Sequence, residues 1–234
     1  VDFNGETYTG KFFNTSDDWR YPYAYDNYIM HDKNKDVNAT FYVVRGSNRL
    51  WKFYNTPNEQ EKMKPVVSDP EATALNIATD YAKSHIMNLA GYEMSIEERR
   101  KLSADDVTVY EVTFMHKADG YNTEDYITVY VSDRGTLLGF LKGNLGSVVG
   151  RGVRVDEQML NESLENSLFD RYERVSLGIE KYDLAEQELI ALQDGRIGMY
   201  TLVHVWDTNP LLTDYAGVYV LTIIGELPWK GYTY

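Results

Sequence analysis

Cysteine is absent from the 234-residue chain. That excludes disulfides, thiol catalysis, thiolate zinc sites and iron–sulfur clusters. Long apolar runs are missing too; none approaches the ~20 residues that a membrane-spanning helix needs. Basic residues are in short supply, 23 Lys and Arg against 36 Asp and Glu, for a net charge of −13 and a pI of about 4.7. Such a balance argues against nucleic acid and anionic membrane surfaces, whose phosphates are neutralised by clustered Lys and Arg.

Histidines number only four, His31, His85, His116 and His204. No pair has the His-Glu-x-x-His spacing that puts two ligands on one helix face. No Gly-x-Ser-x-Gly elbow occurs. The Gly-rich stretch Gly143–Gly150 lacks the Lys-Ser/Thr of a phosphate loop and reads as a flexible join. Asp32, Asn34, Asp36 and Asn38 alternate like calcium-loop ligands, but Val37 and Val43 stand where that loop needs Gly and Glu, so a polar turn is expected. No catalytic residue, metal ligand or cofactor is therefore expected. An enzymatic alternative stays open, a carbohydrate hydrolase with dispersed carboxylates, because a carboxylate pair across a cleft leaves no mark in sequence. A purely structural domain of a surface protein is the third reading.

What the chain does have is aromatic residues, with 20 Tyr against 8 Phe. Tyrosine suits strands, where the ring packs and the hydroxyl reaches water. The densest aromatic stretch is Asp17–Tyr28, with no clean strand or helix period. Its Trp19, Tyr21, Tyr23, Tyr25 and Tyr28 are the candidate binding residues, since Trp and Tyr give large contact area with few rotors. A protein or peptide partner is the expected ligand.

Two helices stand out. One starts at Asp69-Pro70-Glu71, with Asp69 as cap and Pro70 in the first turn, where its missing N–H costs little. Leu75, Ala78, Ala82, Ile86 and Leu89 form its apolar stripe, and Gly91 is the expected stop. The other starts near Asp156, with Leu160, Leu164, Leu168 and Tyr172 in one row.

Strands follow each helix. They are expected at Val107–Met115, Tyr126–Ser132 and Thr136–Leu141, and again at Glu188–Gln193, Ile197–Trp206 and Tyr215–Ile224. Asp133-Arg134-Gly135 and Asp194-Gly195 read as hairpin turns. Ile96–Lys101 has the composition of an extra helical turn. The two caps lie 156 − 69 = 87 residues apart, the spacing of a duplicated domain and not of a solenoid.

The expected fold is α+β: tandem cystatin-like units, each a helix packed on an antiparallel sheet. The expected boundaries are 1–67 for an N-terminal segment, 68–150 for the first helix-plus-sheet unit and 151–234 for the second. The N-terminal segment has a hairpin, Thr40–Val44 and Leu50–Tyr54, that looks like the later one at Thr128–Leu141, as a partial third unit would. Residues 55–67 read as a linker.

Glu71-Ala72-Thr73-Ala74-Leu75 through Ala82, Val109-Tyr110-Glu111-Val112 and the hairpin Val129–Leu138 carry a resemblance to the PepSY-like group of exported bacterial domains. It covers about Asp69–Leu145 and, more loosely, Asp156–Ile224. It implies a cystatin-like fold, a non-catalytic role in peptidase inhibition or cell-surface protein binding, and an extracytoplasmic location. The polar opening Val1–Trp19 fits a tether after a removed leader.

Overall fold

In a computed structural model of the chain, the residues described are 1–16, 24–31, 37–47, 49–99, 107–145, 153–174, 178–192, 196–208 and 216–226. The fold is α+β, mixed helix and sheet with sheet predominating. It divides into two compact units, Val1–His116 with Asp125–Gly146, and Lys117–Glu124 with Ser147–Tyr234.

In the first unit a small hairpin, β1 (Asp2–Phe3) and β2 (Glu6–Thr7), precedes a meander of β3 (Lys11–Ser16), β4 (Tyr25–His31), β5 (Val37–Val44) and β6 (Leu50–Asn55). Then come a short α1 (Glu59–Met63), α2 (Pro70–Lys83), a 3-10 turn at Leu89–Gly91, and β7 (Tyr92–Arg99). β8 (Val109–Ala118), β9 (Tyr121–Ser132) and β10 (Leu137–Lys142) follow, with the β8–β9 turn at Asp119-Gly120 in the other unit. Both turn residues have positive φ, 51° and 85°, as a two-residue hairpin turn of the favoured twist requires. The strands of the first unit are ordered β7-β8-β9-β10-β6-β5-β4-β3. Antiparallel pairing of β10 with β6 puts Phe140 opposite Phe53, so the N-terminal meander and the helix-bearing stretch share one unit.

α2 forms as its caps dictate. Asp69 accepts a hydrogen bond from Ala72 N at 3.2 Å, satisfying one orphan donor. Ala74, Ala78 and Ala82 are fully buried over Val112, Phe114, Ile127, Val129 and Val131. Three alanines in a row bring the helix close to the sheet. A second core, of Phe3, Tyr8, Phe41, Phe53 and Phe140, packs partly against Tyr81 of the same helix.

In the second unit, α3 (Glu157–Arg174) is capped by Asp156, which accepts from Met159 N at 3.0 Å. Its row Leu160, Leu164 and Leu168 is buried. Leu160 packs with Leu189, Ile197 and Met199. Leu164 and Leu168 pack with Val203, Val205, Val218 and Val220. Those residues belong to the antiparallel meander β11 (Ile179–Ala191), β12 (Arg196–Asp207) and β13 (Ala216–Glu226). β11 also pairs in parallel with Asn122 and Thr123.

Three local expectations need correction. α2 ends at Lys83, not near Gly91, because the Ser84 hydroxyl and amide both bond back to Tyr81 O and close the last turn. Ile96–Arg99 is strand, not a helical turn; Met94 and Ile96 lie opposite Phe114 and Val112. Pairing on an apolar face there outweighs the helix propensity of Glu and Arg. β11 begins nine residues before the expected Glu188, through a polar, largely exposed stretch with no apolar alternation to betray it.

Candidate functional site

The β5–β6 hairpin and the end of β10 surround a cavity of about 330 Å³ in the first unit. The β5–β6 hairpin supplies Val44, Arg49, Leu50 and Trp51; the end of β10 and the chain beyond it supply Lys142, Gly143, Asn144 and Leu145. These two stretches, some 90 residues apart, meet because β10 pairs with β6. Gly139 makes that approach possible: a Cβ there would lie 2.1 Å from Phe53 O, a backbone atom that cannot step aside.

Trp51 is buried and backed by rings. Tyr25 stacks on it at 4.6 Å between centroids, and Tyr42 lies 6.0 Å away. A register shift between Tyr42 and Val43 locally displaces β5 against β6 next to this stack. Val44 completes the cluster.

Lys142 runs over the ring of Phe140, with Nζ 4.7 Å from its centroid. Burial pushes the Lys142 ammonium down to about 8, and the positive charge of Arg49 pushes in the same direction. His85, just beyond α2, has its ring 4.8 Å from Tyr81 and 6.1 Å from Phe140. Burial, and then the charge of Lys142, push it down to about 4, so it is neutral at neutral pH. Among the described residues no carboxylate lines the cavity. In a chain of net charge −13, this is a local cationic spot with an apolar wall, suited to holding an anion.

The aromatic candidates fall as follows. Trp19, Tyr21 and Tyr23 lie outside the described residues. Tyr25 is buried behind Trp51. Tyr28 is half-buried, stacked on Phe41 at 5.3 Å with Phe12 at its edge. Neither Tyr25 nor Tyr28 lines the cavity. Of the alternating polar residues, Asp32, Asn34 and Asp36 are outside the described residues and Asn38 is on β5. Gly143 and Asn144 of the expected flexible join line the cavity, and 146–150 are not described. Among the described residues no group of three or more His, Asp or Glu is placed to hold a metal ion, and no helix is long and apolar enough to cross a membrane.

Sequence reading missed Arg49, Trp51 and Lys142. The usable clue was the likeness of the two hairpins: Trp51 and Lys142 lie on β6 and β10, the strands that come to pair.

No family model and no curated protein matches the chain. A solved structure, the Bacillus megaterium YpeB C-terminal domain, is similar at 12% identity. The alignment covers 87% of this chain and 84% of that one, with a TM-score of 0.36.

Proposed function

We propose that the chain is a non-enzymatic, extracytoplasmic binding or regulatory module of PepSY-like character, built from tandem cystatin-like units, with a protein or peptide as its partner. The observation that carries the binding reading is the cavity of the first unit, with its buried Trp51, apolar walls and two cations. Recognition pockets combine apolar walls with a few polar groups that fix orientation, and this one sets Val44, Leu50, Trp51 and Leu145 beside Arg49, Lys142 and Asn144. A hydrolase of the glycosidase type needs two carboxylates facing one cleft, and the described lining of this cavity offers none. The tandem reading draws on α2 and α3, each capped by Asp and each laid on an antiparallel sheet of its own unit.

The test is capture from the extracellular fraction of the source organism, with wild-type protein and an Arg49→Gln/Lys142→Gln variant of verified folding. Retention of a protein or peptide by the wild type and its loss in the variant is the expected result. A folded wild type that retains nothing, or that hydrolyses a panel of glycan substrates, would overturn the reading.

A further inference from the structure

We propose that the cavity of the first unit binds an organic carboxylate carrying an apolar group, such as the C-terminal residue of a peptide. This deepens the binding reading above and rests on it.

The charge comes from two cations brought to one cavity from opposite parts of the chain, Arg49 on the β5–β6 hairpin and Lys142 at the end of β10. Like charges at close quarters repel, and Lys142 is also partly removed from water, so its protonated form is doubly disfavoured. A carboxylate seated between them would relieve both penalties at once and would accept charge-assisted hydrogen bonds. The charge of Lys142 acts in turn on His85 beyond α2, which is neutral at neutral pH and does not compete as a cation.

Apolar character comes from Trp51, Leu50, Val44 and Leu145. Trp51 cannot swing away easily, because Tyr25 stacks against it. A cavity of about 330 Å³ is at the small end for ligand sites, which run from roughly 300 to 1,000 Å³. It fits a metabolite-sized acid or one terminal residue. Phosphate sites typically draw on helix N-termini or a cradle of backbone N–H groups, and no described lining residue belongs to a helix.

The experiment is calorimetric titration of the whole chain at pH 7 with N-acetyl-L-phenylalanine and its amide. The second pair is a tripeptide ending in phenylalanine, as free acid and as amide. Both acids are expected to bind about tenfold or more tightly than their amides, the discrimination that a charge-assisted hydrogen bond provides. Lys142→Gln, with an unchanged urea midpoint or a higher one, is expected to lose that discrimination while amide affinity stays within about twofold; Lys142→Arg is expected to keep it. Tighter binding of the tripeptide acid assigns the carboxylate to a chain terminus, and tighter binding of the N-acetyl acid assigns it to a small metabolite.

Equal affinity for acid and amide would overturn the carboxylate assignment and leave the cavity as a binding site. So would discrimination that survives Lys142→Gln, or inorganic phosphate displacing the acid at equal concentration. No binding of any probe would remove the cavity itself as the site.

Discussion

Glu61 Oε1 accepts a 2.6 Å hydrogen bond from the Ser132 hydroxyl, joining two residues 71 positions apart in the buried interior of the first unit. The other carboxylate oxygen takes Lys64 Nζ at 2.7 Å and the Thr136 hydroxyl at 3.0 Å. The Arg134 guanidinium donates to the carbonyls of Lys62 and Lys64. The short helix α1 is thus tied to the β9–β10 turn from both directions. Glu61→Ala leaves the Ser132 and Thr136 hydroxyls without this acceptor and takes the carboxylate from Lys64, which keeps its bond to Thr136 Oγ1, and is expected to destabilise the first unit by about 2–3 kcal/mol. Urea denaturation measures it, and Glu61→Gln, which keeps one acceptor, is expected to fall between.

The same carboxylate sets an acid limit. Burial alone would raise its pKa, but hydrogen bonds from Lys64, Ser132 and Thr136 and the charge of Lys64 together hold it below its ordinary value of 4.5. A group depressed on folding contributes stability that is present above its unfolded pKa and is lost as pH falls through the folded one. Wild-type stability is therefore expected to drop more steeply than that of Glu61→Gln below about pH 4.5. Thermal unfolding of the two proteins from pH 6 to pH 3 checks the slope.

Gly139→Ala tests the contact that assembles the cavity. With Phe53 O 2.1 Å from the added Cβ, β10 and β6 must separate locally. A loss of about 3 kcal/mol or more is expected, together with loss of ligand binding. Gly46→Ala is the comparison: nothing lies within 4 Å of its added Cβ, so only its positive φ of 80° resists, at a cost of about 1 kcal/mol.

Leu164→Ala probes the second unit. The side chain is buried between Leu168 and the valines of β12 and β13, so truncation is expected to cost about 2–5 kcal/mol. Hydrogen exchange is expected to accelerate in Tyr200–Val205 and Val218–Val220 before it does so in Val129–Val131, whose core is a different one.

The local features were legible in sequence because their causes are local. Asp69 and Asp156 cap helices wherever an acceptor precedes an apolar period of three and four, and both do so here. Ser132 N bonds to Thr136 O around a positive-φ Gly135, as its Asp-Arg-Gly turn foretold. Ile96–Arg99 misled because its Glu and Arg favour helix, while the face it pairs with is on β8, beyond the reach of a window. Glu61 lay in what read as a charged linker; nothing nearby shows that Ser132 and Thr136 would bury it. The cavity was least legible, since Arg49 and Lys142 are neighbours only through the β6–β10 pairing, a long-range contact between two stretches that each look ordinary.

On the proposed reading, Lys142 is a cation whose burial and proximity to Arg49 disfavour its charge, and a bound anion relieves that. Isotope-labelled lysine NMR reads it directly, by following the Lys142 side chain from pH 6 to pH 11 with and without N-acetyl-L-phenylalanine. Because its folded pKa lies below the unfolded one, protein stability rises with pH between the two, and Lys142→Met is expected to be more stable than wild type at pH 7, by a margin that closes as pH rises above 8. In the NMR titration the predicted midpoint is near 8 in the free protein, moving upward when the carboxylate is bound. A free-protein midpoint at the ordinary 10.5, unmoved by the acid, would contradict it.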